Sequence, residues 1–210
     1  MATRHTRNDD ALRRRVAQEA ARIMAEDGVR DFAAAKRKAA ARLNQDENHH
    51  LPSNREIEEA LTEYLHLFHA RELPDALRAH LAVAVEAMHL LERFSPRLTG
   101  PLLNGLVTPF AEIPIHAFPD DPEQLAVWLH EHGIPFEENN RRLRFGGDRQ
   151  ETVPGFRFVA GDTQIDVTAF PPEAAREAPL SPVDARPMRR ANLKDVERLL
   201  EAASVQRPAF

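Results

Sequence analysis

The sequence predicts an α+β protein: a helical N-terminal region, then a small mixed β-sheet with helices packed on one face. Two observations carry this. Of the eight Gly and sixteen Pro in 210 residues, only Gly28, Pro52 and Pro74 precede Ser95. Gly and Pro punctuate turns and interrupt helices, so long helices belong in front and short elements behind. Apolar residues also recur at three- and four-residue steps before Ser95 and alternate in places after it. The chain therefore divides into a disordered tail over 1–8, a helical region over 9–72, an α+β domain over 73–204 and a tail over 205–210. A uniform bundle, a repeat array and a coiled coil are excluded, since each needs one texture throughout.

Leu12, Val16, Ala20, Ile23 and Met24 define a first helix, starting near Asp10 and stopping near Gly28. Phe32, Ala35, Ala39 and Leu43 repeat the pattern in an Ala-rich second helix. Asn44 to Pro52 reads as a polar loop, with His49 and His50 solvated. Ser53-Asn54-Arg55-Glu56 has the form of a capping box. It opens a third helix with Ile57, Leu61, Tyr64, Leu65 and Phe68 on one face. Pro74 suits the first turn of a fourth, with Leu77, Leu81, Ala84, Val85, Met88 and Leu91 inward. The ten-residue loop between helices two and three is too long for a DNA-reading helix-turn-helix.

In the back half, Ala111 to Phe118 alternates, with Ile113 and Ile115 facing one way and Glu112, Pro114 and His116 the other. Pro114 cannot donate to a ladder, so this strand is expected to be an edge there or locally irregular. Asp121 as N-cap, Pro122, Leu125, Trp128 and Leu129, with Gly133 as the stop, mark a compact helix. Two short strands are expected at Ile134 to Glu137 and Arg141 to Phe145, separated by Asn139-Asn140. A hairpin follows, Gly155 to Ala160 and Thr163 to Phe170, turning at Gly161-Asp162. Pro171 to Pro187 crosses the surface, and Asn192 caps a last helix through Leu200.

Charge and composition narrow the function classes. Residues 1–50 carry 11 Lys/Arg against 8 Asp/Glu, and the remainder 17 against 25, giving the net −5. The blocks Arg13-Arg14-Arg15 and Lys36-Arg37-Lys38 read as solvated helix faces. With no Cys, thiol nucleophiles, disulfides and Cys-zinc sites are excluded. Nothing resembles a signal peptide or a membrane span, so a cytoplasmic location is expected. Ser95 and Ser181 have no base that the sequence identifies, and His130-Glu131-His132 does not place its imidazoles on one helix face.

Phosphoryl and nucleotidyl transfer need divalent metals held by clustered carboxylates, and a strand presents such ligands at i and i+2 on one face. A Gly-containing turn upstream lets backbone N–H groups approach phosphates. Here Thr99-Gly100-Pro101-Leu102-Leu103-Asn104-Gly105 precedes Ala111-Glu112-Ile113-Pro114-Ile115-His116, and Ile165-Asp166-Val167 lies on a later strand. Over about residues 75–170 this resembles the signature of the DNA polymerase β-like nucleotidyltransferase superfamily. In that signature a helix leads to Gly-Ser or Gly-Gly with a second Gly five residues on. Asp-hydrophobic-Asp then lies on a strand, and a third acid on another. Gly100 and Gly105 match both glycines, Glu112 the first acid and Asp166 the third.

The resemblance implies a nucleotidyltransferase-like domain over 73–204. Glu112, Asp166 and His116 would be its catalytic residues, Glu112 and Asp166 its metal ligands, and Gly100, Asn104 and Gly105 its nucleotide contacts. Three positions depart from it. Pro101 replaces the Ser that contacts phosphate, Glu112 replaces Asp, and Pro114 replaces the second Asp. The leading expectation is thus a catalytically impaired nucleotidyltransferase-fold protein that binds a nucleotide or a macromolecular partner, protein or RNA rather than DNA. One alternative is an active enzyme moving NMP from an NTP to a hydroxyl acceptor with Mg²⁺ or Mn²⁺. Another is a scaffold or regulator acting through its N-terminal helices. Arg141, Arg142, Arg144 and Arg157 would line a nucleotide or nucleic-acid surface, or form a solvated strand face.

Overall fold

A computed structural model describes the backbone of residues 2–44 and 51–205, and the side chains from Asp9 onward except at Asp148. The chain forms two compact units. One comprises Met1–Leu73 with Thr108–Phe110 and Pro182–Asp184; the other comprises Pro74–Val107, Ala111–Ser181 and Ala185–Phe210.

The first unit is helical: α1 (Ala2–Glu26), α2 (Phe32–Arg42) and α3 (Asn54–Phe68). The first helix begins at Ala2, ahead of the expected start near Asp10; the leading residues are polar and carry no apolar period, so nothing in the sequence marks that start. Val16, Ala17, Ala20, Ile23, Ala35, Ala39 and Ile57 make the core of the three helices. Four of these seven are Ala, and small side chains let helices approach closely while still excluding water. Gly28 ends the α1 segment at φ +67, where a Cβ would lie 3.0 Å from the Phe110 ring. Asp31 caps α2 by accepting from the Ala34 N–H at 2.7 Å. The capping box at Ser53 and Glu56 is formed, each side chain bonding the other's backbone N–H. One correction concerns α3. Its buried face is Ile57, Leu61 and Leu65, whereas Phe68, expected inward, is 62% exposed and meets the Tyr64 ring at a tilt. Residues 45–50, with His49 and His50, lie outside the described residues.

The second unit begins with α4 (Leu73–Leu90), then β1 (Arg97–Leu98), β2 (Ile113–Ala117), α5 (Pro122–Glu131), β3 (Phe136–Arg144), β4 (Gln150–Ala160), β5 (Thr163–Ala169) and α6 (Leu193–Val205). The strands form one mixed sheet in the order β1-β2-β5-β4-β3. Only β2 and β5 run parallel; the other pairs are antiparallel. Ile113, Ile115, Phe156, Phe158, Ile165 and Val167 are buried on one sheet face. Helices complete the layer, and the Trp128 indole of α5 donates to the Leu90 carbonyl at the end of α4. Asp121 caps α5 through the Glu123 N–H, and Asn192 caps α6 through Asp195. Among the described residues, no helix is long and apolar enough to cross a membrane.

Prolines set where ladders stop. Strand β2 is not an edge: it lies between β1 and β5. The Thr99 N–H donates to the Pro114 carbonyl at 3.0 Å, but Pro114 has no N–H to return, so β1 ends at Leu98. Pro154 faces its missing donor toward β5, and the β4–β5 ladder accordingly begins at Gly155. The β3–β4 ladder runs on past it to Arg144 and Gln150. A second correction falls here. The expected break at Asn139-Asn140 is absent, and Phe136–Arg144 is one strand. Asn favours turns when nothing competes, but pairing along β4 outweighs that local preference.

Candidate functional site

The glycine turn sits beside β2. Gly100 has φ +79 and ψ −165 and opens a short 3₁₀ turn, Pro101–Asn104, which Gly105 closes at φ +74. The Gly100 conformation is essentially closed to other residues, and a Cβ there would come 2.8 Å from Pro114 Cγ. The turn therefore packs onto Pro114. Its amides are largely spent within it. Leu103 donates to Gly100, Gly105 to Leu102 and Leu106 to Pro101, while Pro101 has none to offer. Asn104 Oδ1 accepts from Arg189 at 2.9 Å.

The carboxylates come together across the parallel β2–β5 pair. Glu112 immediately precedes β2, and Asp166 on β5 lies in register with Pro114. The Asp166 side chain is fully buried and that of Glu112 is 19% exposed. Between them sits an arginine. Arg141, on β3, donates from Nε to Asp166 Oδ1 at 3.2 Å. Its Nη2 contacts Asp166 Oδ2 and lies 3.8 Å from Glu112 Oε1. Arg157, directly opposite Asp166 on β4, adds a second guanidinium at 3.6 Å. A bidentate guanidinium matches a carboxylate in charge and plane, which is how a buried Asp becomes tolerable.

His116 follows on the same face of β2, in register with Thr168. Its Nδ1 accepts from Arg190 Nε at 3.0 Å, so the neutral ring carries its proton on Nε2. Burial first, then the charges of Arg190 and Arg141, pull its pKa down to about 3. Arg190 itself lies against the rings of Phe118 and Phe170, 5.1 and 5.3 Å from their centres. Its Nη1 donates to the Ala174 carbonyl at 2.9 Å. Burial first, then the charge of Arg97, lowers the Arg190 pKa to about 10, which leaves it cationic at neutral pH. Arg190 thus pins the returning chain to β2, and His116 is its acceptor.

This donor set does not fit Mg²⁺ or Mn²⁺. Such ions take about six hard ligands, chiefly oxygen. Here two carboxylates flank a guanidinium, Pro114 offers no side-chain donor, and the imidazole Nδ1 is engaged by Arg190. Among the described residues, no group of three or more His, Asp or Glu side chains is placed to hold a metal. The polar layer is nevertheless not fully satisfied. Asn139 Oδ1, Arg157 Nε and Arg190 Nη2 are buried there without a hydrogen-bond partner among the described residues.

The sequence reading brings Glu112, Asp166 and His116 to one sheet face, and they share it. It misses Arg190 altogether and leaves Arg141 and Arg157 among four strand arginines without distinguishing them. A signal for Arg157 exists: the two-residue turn at Gly161-Asp162 fixes the hairpin register and so sets Arg157 opposite Asp166. No protein-family model, curated protein or solved structure matches this chain.

Proposed function

We propose that this chain is a nucleotidyltransferase-like protein in which Arg141 stands where a catalytic metal would be held. It acts by binding a nucleotide or a macromolecular partner, not by transferring NMP. One observation carries the reading: the Arg141 guanidinium contacts both carboxylates, Asp166 and Glu112, that such chemistry would give to a metal. A guanidinium neutralises those carboxylates but cannot bridge a triphosphate to an attacking hydroxyl as a divalent ion does. The glycine turn supports the fold relationship, and its internally bonded amides agree with lost phosphate chemistry.

The test incubates the protein with α-labelled nucleoside triphosphates, Mg²⁺ or Mn²⁺, and protein or RNA acceptors, beside a Glu112→Ala/Asp166→Ala variant. No label transfer is expected, with retained nucleotide or partner binding. Transfer that the double variant abolishes would overturn the proposal. A second reading, a scaffold working through its N-terminal helices, draws on an open groove of about 420 Å³ in the helical unit. Leu67 and Phe68 line it and are 74% and 62% exposed. Nucleotide binding absent, with partner capture lost in a Leu67→Ser/Phe68→Ser variant, would favour that reading.

A further inference from the structure

The long outer strand of the sheet carries a pattern that the site does not use. Among the described residues, strand β3 pairs only with β4. Its backbone directions follow from two bonds: the Phe145 N–H donates inward to Arg149, and the Arg144 carbonyl accepts outward from Leu180. Backbone groups alternate sides along a strand, so Glu138, Asn140 and Arg142 present their N–H and C=O outward. Among the described residues, no backbone bond reaches these outward groups. All three residues are exposed, and their side chains share one sheet face. The Cα atoms of Glu138 and Arg142, four residues apart on one strand, are about 13 Å apart.

Edges are usually guarded by charges that repel another strand. Here the sign reverses across Asn140. We propose that the β3 edge docks a second copy of this chain, antiparallel and two-fold symmetric about Asn140, joining the two sheets. In that register Glu138 of each copy lies opposite Arg142 of the other, and Asn140 lies opposite itself. The outward N–H and C=O groups of the three residues then form about six inter-chain bonds. Sliding the register by four in one sense sets Glu138 against Glu138, and in the other Arg142 against Arg142. The charges therefore select one alignment as well as permitting it. Leu180 occupies the outward side of β3 at Arg144, so the contact is confined to 138–142 and each strand leaves the shared ladder before Phe136; so small an edge makes the dimer a concentration-dependent one.

Sedimentation of the full chain over roughly 5–500 µM tests this, with far-UV circular dichroism reporting the fold. The wild type is expected to pass from monomer to dimer. Arg142→Glu and Glu138→Arg each weaken association by about tenfold or more, and the double exchange Glu138→Arg/Arg142→Glu restores it. The chain has no Cys, so Asn140→Cys supplies a unique thiol. Cα atoms directly opposite in such a ladder are about 5.5 Å apart, within disulfide reach. Mild oxidation is expected to give a covalent dimer, and Val159→Cys, exposed on β4, is the non-bridging control. A wild type monomeric throughout would overturn the proposal. So would single charge variants that associate like wild type, a double exchange that stays weak, or equal cross-linking of both Cys variants.

Discussion

Replacing Arg141 by Met keeps most of the aliphatic volume and removes the guanidinium. Asp166, whose side chain is fully buried, is then left with Arg157 at 3.6 Å as its remaining cation. Breaking a buried ion pair from one side costs about 3–5 kcal/mol. Retention of Arg157 lowers the expected loss to about 2–4 kcal/mol. Urea unfolding followed by fluorescence reads this in the right unit, since the one Trp of the chain is Trp128 in α5. The companion variants are Asp166→Asn and the double Arg141→Met/Asp166→Asn. If the pair is what matters, the double variant is more stable than the sum of the singles implies, by about 1–3 kcal/mol. A loss below about 0.5 kcal/mol in Arg141→Met, with additive effects in the cycle, would refute the reasoning.

His116 and the glycine turn give two further tests. His116 is neutral in the folded protein, with its pKa depressed to about 3, while the unfolded chain takes up a proton near the ordinary value of about 6.5. Its contribution is therefore present above that value and is lost as pH falls from about 6.5 toward 3, at up to about 1.4 kcal/mol per pH unit. Gln at this position keeps an acceptor for Arg190. His116→Gln should flatten the stability profile over pH 6.5–4, and an unchanged difference from wild type across that range would count against the buried neutral ring. Gly100→Ala should cost about 1–3 kcal/mol through its left-handed backbone and its Cβ contact with Pro114. An unfolding midpoint equal to wild type would contradict the turn geometry.

The helices are legible in the sequence because their signals are local. Ser53 and Glu56 sit three residues apart, Asp121 stands directly before Pro122, and Asn192 before the apolar run of α6, and each cap forms. The α3 face departs from its apolar period only at the last turn, where Phe68 outruns the helix packing. Strand β3 is harder to read: FEENNRRLR has no apolar alternation, and its extension is imposed by β4. The same holds for the site. Asp166 can be placed from alternation alone, but Arg141 reaches it from two strands away, across β4. Nothing local in Arg141-Arg142-Leu143-Arg144 shows which guanidinium turns inward. Arg190 reaches His116 over a sequence distance of 74 residues, from a segment without periodicity.

Whether Arg141 holds the metal's place is tested most directly by titrating the protein with Mn²⁺ and reading the free ion by electron paramagnetic resonance. The wild type is expected to show no stoichiometric site tighter than about 1 mM, the affinity scale of weakly held hard cations. Stoichiometric binding at micromolar Mn²⁺, abolished in Glu112→Ala/Asp166→Ala, would contradict it.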